Sequence, residues 1–224
     1  MKAIIERSHK REGSREMKPS EVHERIGSLP YMKVDDAEYL HEFFEEHSIR
    51  NCLELGFYHG VSSAYIAAKM SEVNGHLTTI DRVVAKERKP DIGQILCQLN
   101  LSSYVTVLYA ERSYTWELMK LLSMNSRPSF DFAYVDGGHG WDDTALAFFL
   151  VSQLLGPKGW IVFDDLGWTL ANSSVADQPW ALRVPEEERR TPTVSLVYDL
   201  LVRKDDKYHN HFVRGRWGFA QRRD

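Results

Sequence analysis

Between residues 51 and 163 the chain alternates short apolar runs with longer stretches of helical period, and that rhythm constrains its fold more than any other feature. The runs are NCLEL (51–55), HLTTID (76–81), YVTVLY (104–109), FDFAYV (130–135) and WIVF (160–163). Helical periodicity fills the gaps at residues 62–70, 92–99, 114–123 and 142–154. Strands joined by helical crossovers run parallel, so the pattern predicts a doubly wound α/β sheet with helices on both faces. The turn Gly156-Pro157-Lys158-Gly159 is expected to lead into the fifth strand. Upstream, Ala37, Leu40, Phe43 and Phe44 lie at helical spacing behind Asp35 and Asp36, which predicts a helix over 34–47 packed on the domain. Downstream come a proline-containing loop with the run EEERR, a helix near 193–202, and the strands YHNHFV and RWGFAQ. These two predict an antiparallel edge hairpin joined at Arg214-Gly215.

Residues 31–224 read as one domain, and residues 1–30 as an N-terminal arm whose charged first part suits a mobile or loosely docked segment. A net charge of −4 argues against a nucleic-acid partner and favours a small soluble one. No run approaches the ~18 apolar residues of a membrane span, and no signal peptide is evident. A cytoplasmic protein without membrane contact is the expectation. Cys52 and Cys97 fall in an apolar run and an amphipathic stretch, so both are expected to be buried thiols, with neither a disulfide nor a thiolate metal site.

Two strand ends are acidic. The fourth run stops at Asp136-Gly137-Gly138-His139 and the fifth at Asp164-Asp165, and such ends line the ligand crevice of an α/β sheet. Three carboxylates there, with a histidine close by, suit a hard divalent cation and a base. A strand-end acid can also simply cap the next helix, the role expected of Asp142-Asp143. The first turn, CLELGFYHGVSS, carries Glu54, Gly56 and Gly60. Its spacing is not the GxGxxG of pyrophosphate binders, and Asp81 ends the second strand where an acid takes a ribose diol. A nucleoside ligand with little phosphate follows.

ELGFYHGVSS, TTID and FDFAYVDGGHGWDDTALAFFLVSQLLGPKGWIVFDD together resemble the class I S-adenosylmethionine-dependent methyltransferases, in the branch with an E-x-G-x-x-x-G-x-S first motif and a V-D-G-x-H fourth strand. That resemblance implies a mostly parallel seven-stranded Rossmann-like sheet ending in an antiparallel hairpin. It further implies that Gly56 and Gly60 line the methionine part of the cofactor, with Tyr58 and Ser62 in the same segment. Glu54 would order the loop, Asp81 would hold the ribose, and Asp136 would border the cofactor. Ala110 and Glu111 fall where the family contacts adenine, although the sequence lacks the usual small segment there.

The acidic cluster is similar to that of metal-dependent sugar and catechol-type O-methyltransferases. The resemblance implies Asp136, Asp164 and Asp165 as ligands of a divalent ion, usually Mg²⁺, and His139, with Asp136 beside it, as the catalytic base. The acceptor would be a small diol, sugar or phenolic. A metal-independent methyltransferase and a catalytically silent cofactor-binding module are the alternatives. Trp168 is a candidate wall of the acceptor pocket, and the loop over 167–192 a candidate lid. The arm and the edge hairpin are both common dimer contacts and leave a homodimer open.

Overall fold

A computed structural model describes residues 17–224. Helices α1 (Pro19–Ile26) and α2 (Val34–Glu46) precede an alternating series. It runs β1 (Asn51–Leu55), α3 (Val61–Glu72), β2 (His76–Arg82), α4 (Ile92–Gln98), β3 (Val105–Ala110), α5 (Tyr114–Leu122), β4 (Phe130–Val135), α6 (Trp141–Ser152) and β5 (Leu155–Phe163). The chain ends with α7 (Glu186–Arg190), α8 (Thr193–Val197), a π-helical turn over Tyr198–Val202, and the hairpin β6 (Tyr208–Arg214) and β7 (Trp217–Arg222).

The seven strands form one sheet in the order β3-β2-β1-β4-β5-β7-β6. The first five pair in parallel, while β7 lies antiparallel to both β5 and β6. Order reverses between β1 and β4, which places the ligand crevice at their carboxyl ends. Period-two alternation explains the two cores. Cys52, Phe132, Tyr134, Trp160 and Val162 face a cluster with Phe43, Phe44 and Ile92, whereas Leu53, Leu55, Ala133, Val135, Ile161 and Phe163 face one with Leu118, Phe148 and Val151.

Several local expectations change. Residues 1–16 of the expected arm lie outside the described residues, and the part that follows includes α1, whose Val22 is fully buried against the main body. The segment Gly156-Pro157-Lys158-Gly159 belongs to β5. Leu155 already pairs with Phe130 and Trp160 with Phe132, so the four residues between them bulge out of register. Asp142 and Asp143 sit in the first turn of α6 behind the N-cap Gly140 and make no cap hydrogen bond. Their charges favour the helix start through its dipole instead. Cys52 is buried but Cys97 is exposed, because α4 buries Ile92, Ile95 and Leu96 on its other face.

A capping box starts α4: the Asp91 carboxylate accepts from the Gln94 amide at 2.8 Å, and the Gln94 side chain accepts from the Asp91 amide at 3.0 Å. Asp91→Ala should cost about 1 kcal/mol, or about 3 °C in Tm. Thermal unfolding at neutral pH reads this directly, and an unchanged Tm would show that tertiary packing alone holds the helix.

Candidate active site

The turn after β1 is built by contacts that tolerate little variation. Gly56 has φ 85° and donates its amide to the Ile80 carbonyl at 2.8 Å. A Cβ there would lie 2.1 Å from the Asp136 carbonyl oxygen and 2.9 Å from Gly137 Cα. The β1 and β4 loops therefore touch through their backbones, and only glycine fits between them. Gly60, φ 98°, is the N-cap of α3, and a Cβ would meet Ile92 Cγ1 at 2.6 Å. Ser62, nearly buried, follows in the first turn of α3.

Between the glycines the chain is held by Asp81. Its Oδ2 accepts from the amides of Phe57 at 3.0 Å and Tyr58 at 2.8 Å, and its Oδ1 from Arg82 at 2.6 Å. A carboxylate offers about four lone-pair directions, so Asp81 can shape the turn and still meet a ligand diol. Tyr58 lies beneath Arg88, whose guanidinium is 3.5 Å from the ring centroid and donates to the Tyr58 hydroxyl at 2.6 Å. Tyr31 meets the same ring edge-on at 4.9 Å. Neither Arg88 nor Tyr31 stands out in the sequence, since each is remote from the motif and meets it only through folding.

Glu54 is fully buried under this turn. Its Oε2 accepts from the hydroxyls of Ser63 and Thr79, the latter at 2.6 Å, while its Oε1 has no hydrogen-bond partner. Burial lifts its pKa to about 7 against the opposing pull of Ser62, Ser63 and Thr79. An orphaned, buried acid beside a glycine turn fits a ligand that brings positive charge, as the methionine ammonium and sulfonium of the expected cofactor would.

At the end of β3, Ala110 is wholly buried. Glu111 is exposed and lines a groove of about 800 Å³ with Trp116, Met119 and Leu146. A second cavity of about 650 Å³ lies between residues 137–140 and the segment after β5. Arg82 and Arg112 line it together with Trp168, Trp180 and Val184.

The acidic strand ends meet as expected, but with a different division of labour. Asp164 is buried and receives the Tyr134 hydroxyl on Oδ2, while its Oδ1 takes Arg216 Nε at 2.5 Å and the Asp165 amide at 2.6 Å. Asp165, at φ 58°, instead points Oδ2 at His139 Nε2, 3.3 Å away. The His139 ring stacks on Trp168 with centroids 4.6 Å apart, and its carbonyl accepts from the Thr193 hydroxyl. Ligand atoms of Asp136, His139 and Asp165 lie within 4.8 Å of one another. The trio brought together thus contains His139 in place of Asp164, because Arg216 and Tyr134 occupy both oxygens of Asp164. Arg216 went unrecognised in the sequence because it lies in the edge hairpin, 52 residues from its partner.

Electrostatics sharpen the picture. The contact with His139 holds the Asp165 carboxyl below the usual range, against the opposing effect of burial. Burial, and then the charges of Asp164, Asp165 and Glu54, push Asp136 well above it. A cation among Asp136, His139 and Asp165 would relieve that repulsion. Two carboxylates and an imidazole fit a divalent ion, the imidazole suiting Zn²⁺ or Fe²⁺ and the carboxylates Mg²⁺ or Mn²⁺.

Comparison with known proteins agrees with the fold described above. The family model described as a methyltransferase domain matches residues 53–166, and the chain belongs to that family. A search of curated proteins finds no match. Among solved structures, the chain is similar to the Podospora anserina methyltransferase PaMTH1 bound to S-adenosylhomocysteine, with a TM-score of 0.67 and 13% identity over 92% of this chain and 88% of that one. It is similar to a Bacillus cereus O-methyltransferase in complex with S-adenosylhomocysteine, at 0.63 and 17% over 91% and 89%. It is also similar to the O-methyltransferase TomG of tomaymycin synthesis from Streptomyces achromogenes, at 0.62 and 18% over 92% and 88%. The fold is that of the S-adenosylmethionine-dependent methyltransferases. No helix among the described residues is long and apolar enough to cross a membrane.

Proposed function

We propose that the protein transfers a methyl group from S-adenosylmethionine to an oxygen of a small hydroxylated acceptor, with a divalent cation held by Asp136, His139 and Asp165. The observation that carries this reading is the direct contact between the two halves of the crevice. Gly56, in the nucleoside-type turn, packs against the backbone of Asp136, the residue that begins the acid-histidine cluster. A donor methyl delivered at the first would lie beside an acceptor gripped at the second. Asp81 would take the ribose hydroxyls, and the amides of the turn after β1 would receive the amino-acid end. Trp168 and Trp180 offer flat apolar walls on the cavity that opens at His139. A bound ion would lower the pKa of an acceptor hydroxyl and fix its direction. The rest is positioning, for which effective molarities are large.

A second reading, metal-independent transfer on the same fold, has its own support. Arg216 already neutralises Asp164, and His139, stacked on Trp168 with Nε2 3.3 Å from Asp165 Oδ2, offers an imidazole able to accept a proton. Chelation separates the two. Methyl transfer to a panel of diols, sugars and phenolics is followed as S-adenosylhomocysteine release, before and after EDTA and with Mn²⁺ or Mg²⁺ restored. We expect at least a tenfold fall and recovery, roughly what loss of one strong electrostatic contact costs. Full activity in EDTA would select the second reading, and S-adenosylhomocysteine binding without turnover of any acceptor would point to a silent module.

A further inference from the structure

Arg216 stands at the tip of the β6-β7 hairpin, in the two-residue turn between Arg214 and Trp217. Its carbonyl accepts from the Leu166 amide at 3.0 Å, which staples the hairpin to the chain directly after Asp165. From there the guanidinium spans two acids. Nε donates to Asp164 at 2.5 Å, and Nη1 donates to Asp36 of α2 at 3.2 Å. Asp36 also holds Arg214 at 3.5 Å. The side chain is therefore fixed at both ends and does not sample solvent freely.

Two consequences follow for the neighbouring cluster. First, both oxygens of Asp164 are committed, one to a guanidinium and one to the buried Tyr134 phenol. With the Asp165 amide as a third donor, Asp164 keeps about one free lone-pair direction, and the guanidinium charge beside it competes with a metal for that carboxylate. Second, Arg216 Nε lies only 3.7 Å from Asp165 Oδ1, so its charge acts on a ligand of the ion itself. Three carboxylates in one crevice are balanced when one guanidinium and one divalent ion accompany them. Without the arginine, three acids would face a single ion.

We infer that Arg216 is a positioning residue that selects the ligand set of the cation site: it retains Asp164 as a support and leaves Asp136, His139 and Asp165 to take the ion. The inference rests on the divalent-ion reading above. It assigns a role to the edge hairpin, which supplies a fixed cation that tempers how tightly the site holds its metal.

Mn²⁺ titrations of the full chain, followed by the loss of the free-ion electron paramagnetic resonance signal, test this. Calorimetry with S-adenosylhomocysteine runs in parallel as a check on fold and cofactor site. Arg216→Gln frees Asp164 and removes a competing charge, so Mn²⁺ should bind about tenfold more tightly, equivalent to ~1.4 kcal/mol. Arg216→Lys keeps the charge and should stay within about threefold of the parent. Because Arg216→Gln alone could unsettle the hairpin, the charge-balanced double variant Asp164→Asn with Arg216→Gln provides the decisive comparison. It should hold Mn²⁺ within about threefold of the parent, whereas Asp165→Asn should weaken it more than about tenfold. Equal losses in the double variant and in Asp165→Asn would make Asp164 a ligand and overturn the inference. So would an Arg216→Gln protein that binds S-adenosylhomocysteine normally and Mn²⁺ no more tightly. A parent protein that binds S-adenosylhomocysteine but no Mn²⁺ would remove the divalent-ion reading and this inference with it. A parent that binds neither would remove the methyltransferase reading.

Discussion

Gly56→Ala should lower the Tm by about 10 °C and weaken S-adenosylhomocysteine binding strongly. Two costs add at this position. A non-glycine residue at φ 85° is strained by about 1–2 kcal/mol. The new methyl would also overlap the Asp136 carbonyl oxygen at 2.1 Å, and the obstacle is backbone, which cannot rotate away. Overpacking of that kind costs about 1–3 kcal/mol more, and at this chain length each 1 kcal/mol moves Tm by about 2–4 °C. The β1 and β4 loops would separate, spoiling both the cofactor turn and the start of the acid cluster. Gly27→Ala is the control. It has a similar φ of 73° but nothing within 4 Å of its Cβ, so strain alone acts and about 1–2 kcal/mol is expected. Differential scanning of both variants distinguishes the causes: equal losses would mean that the contact with Asp136 contributes nothing.

Much of this arrangement was legible before folding, for reasons that also explain what was missed. Strands β1 and β4 match their runs to the residue, because each is a short, mostly apolar segment closed by a turn signal, Gly56 after β1 and Asp136-Gly137-Gly138 after β4. Glu54, Gly56, Asp81 and Asp136 could be placed near one another because parallel topology fixes which strand ends are neighbours. Helix α1 was missed, since PSEVHERI offers only Val22 and Ile26 as large apolar groups, and eight residues are too few to hold a helix without docking. The exposure of Cys97 was within reach, because α4 buries Ile92, Ile95 and Leu96 and position 97 falls off that face. Arg216 was beyond reach. Nothing in RGRW distinguishes a surface turn from a turn folded back over β5, and only the antiparallel register of β7 brings it to Asp164.

The buried acid of the cofactor turn gives the last large effect. Ligand-free protein carrying Glu54→Gln should be more stable than the parent at pH 8 and slightly less stable than it near pH 4.5. Glu54 titrates near its ordinary value of 4.5 when unfolded but at about 7 when folded, chiefly because burial penalises its charge. A folded pKa above the unfolded one means that stability is fully present below pH 4.5. It is lost as pH rises toward 7, where the unfolded state has already released its proton, and is flat beyond. The full shift corresponds to about 3 kcal/mol at 1.36 kcal/mol per pH unit. Glutamine removes the charge but places an amide where Oε1 has no partner, which returns about 1 kcal/mol. The net gain at pH 8 should be about 2 kcal/mol, read by urea unfolding at pH 5, 6, 7 and 8. Parallel pH profiles for the two proteins would refute the assignment. The same variant should bind S-adenosylhomocysteine at least tenfold more weakly, because the ligand's positive charge favours an ionised Glu54 and glutamine cannot answer it. Calorimetry in buffers of different ionisation enthalpy should then show a proton released on binding near pH 6.5 by the parent and none by the variant. An acid that burial keeps mostly protonated in the empty protein thus ionises when the ligand's ammonium arrives, and the stability forgone without ligand reappears as affinity.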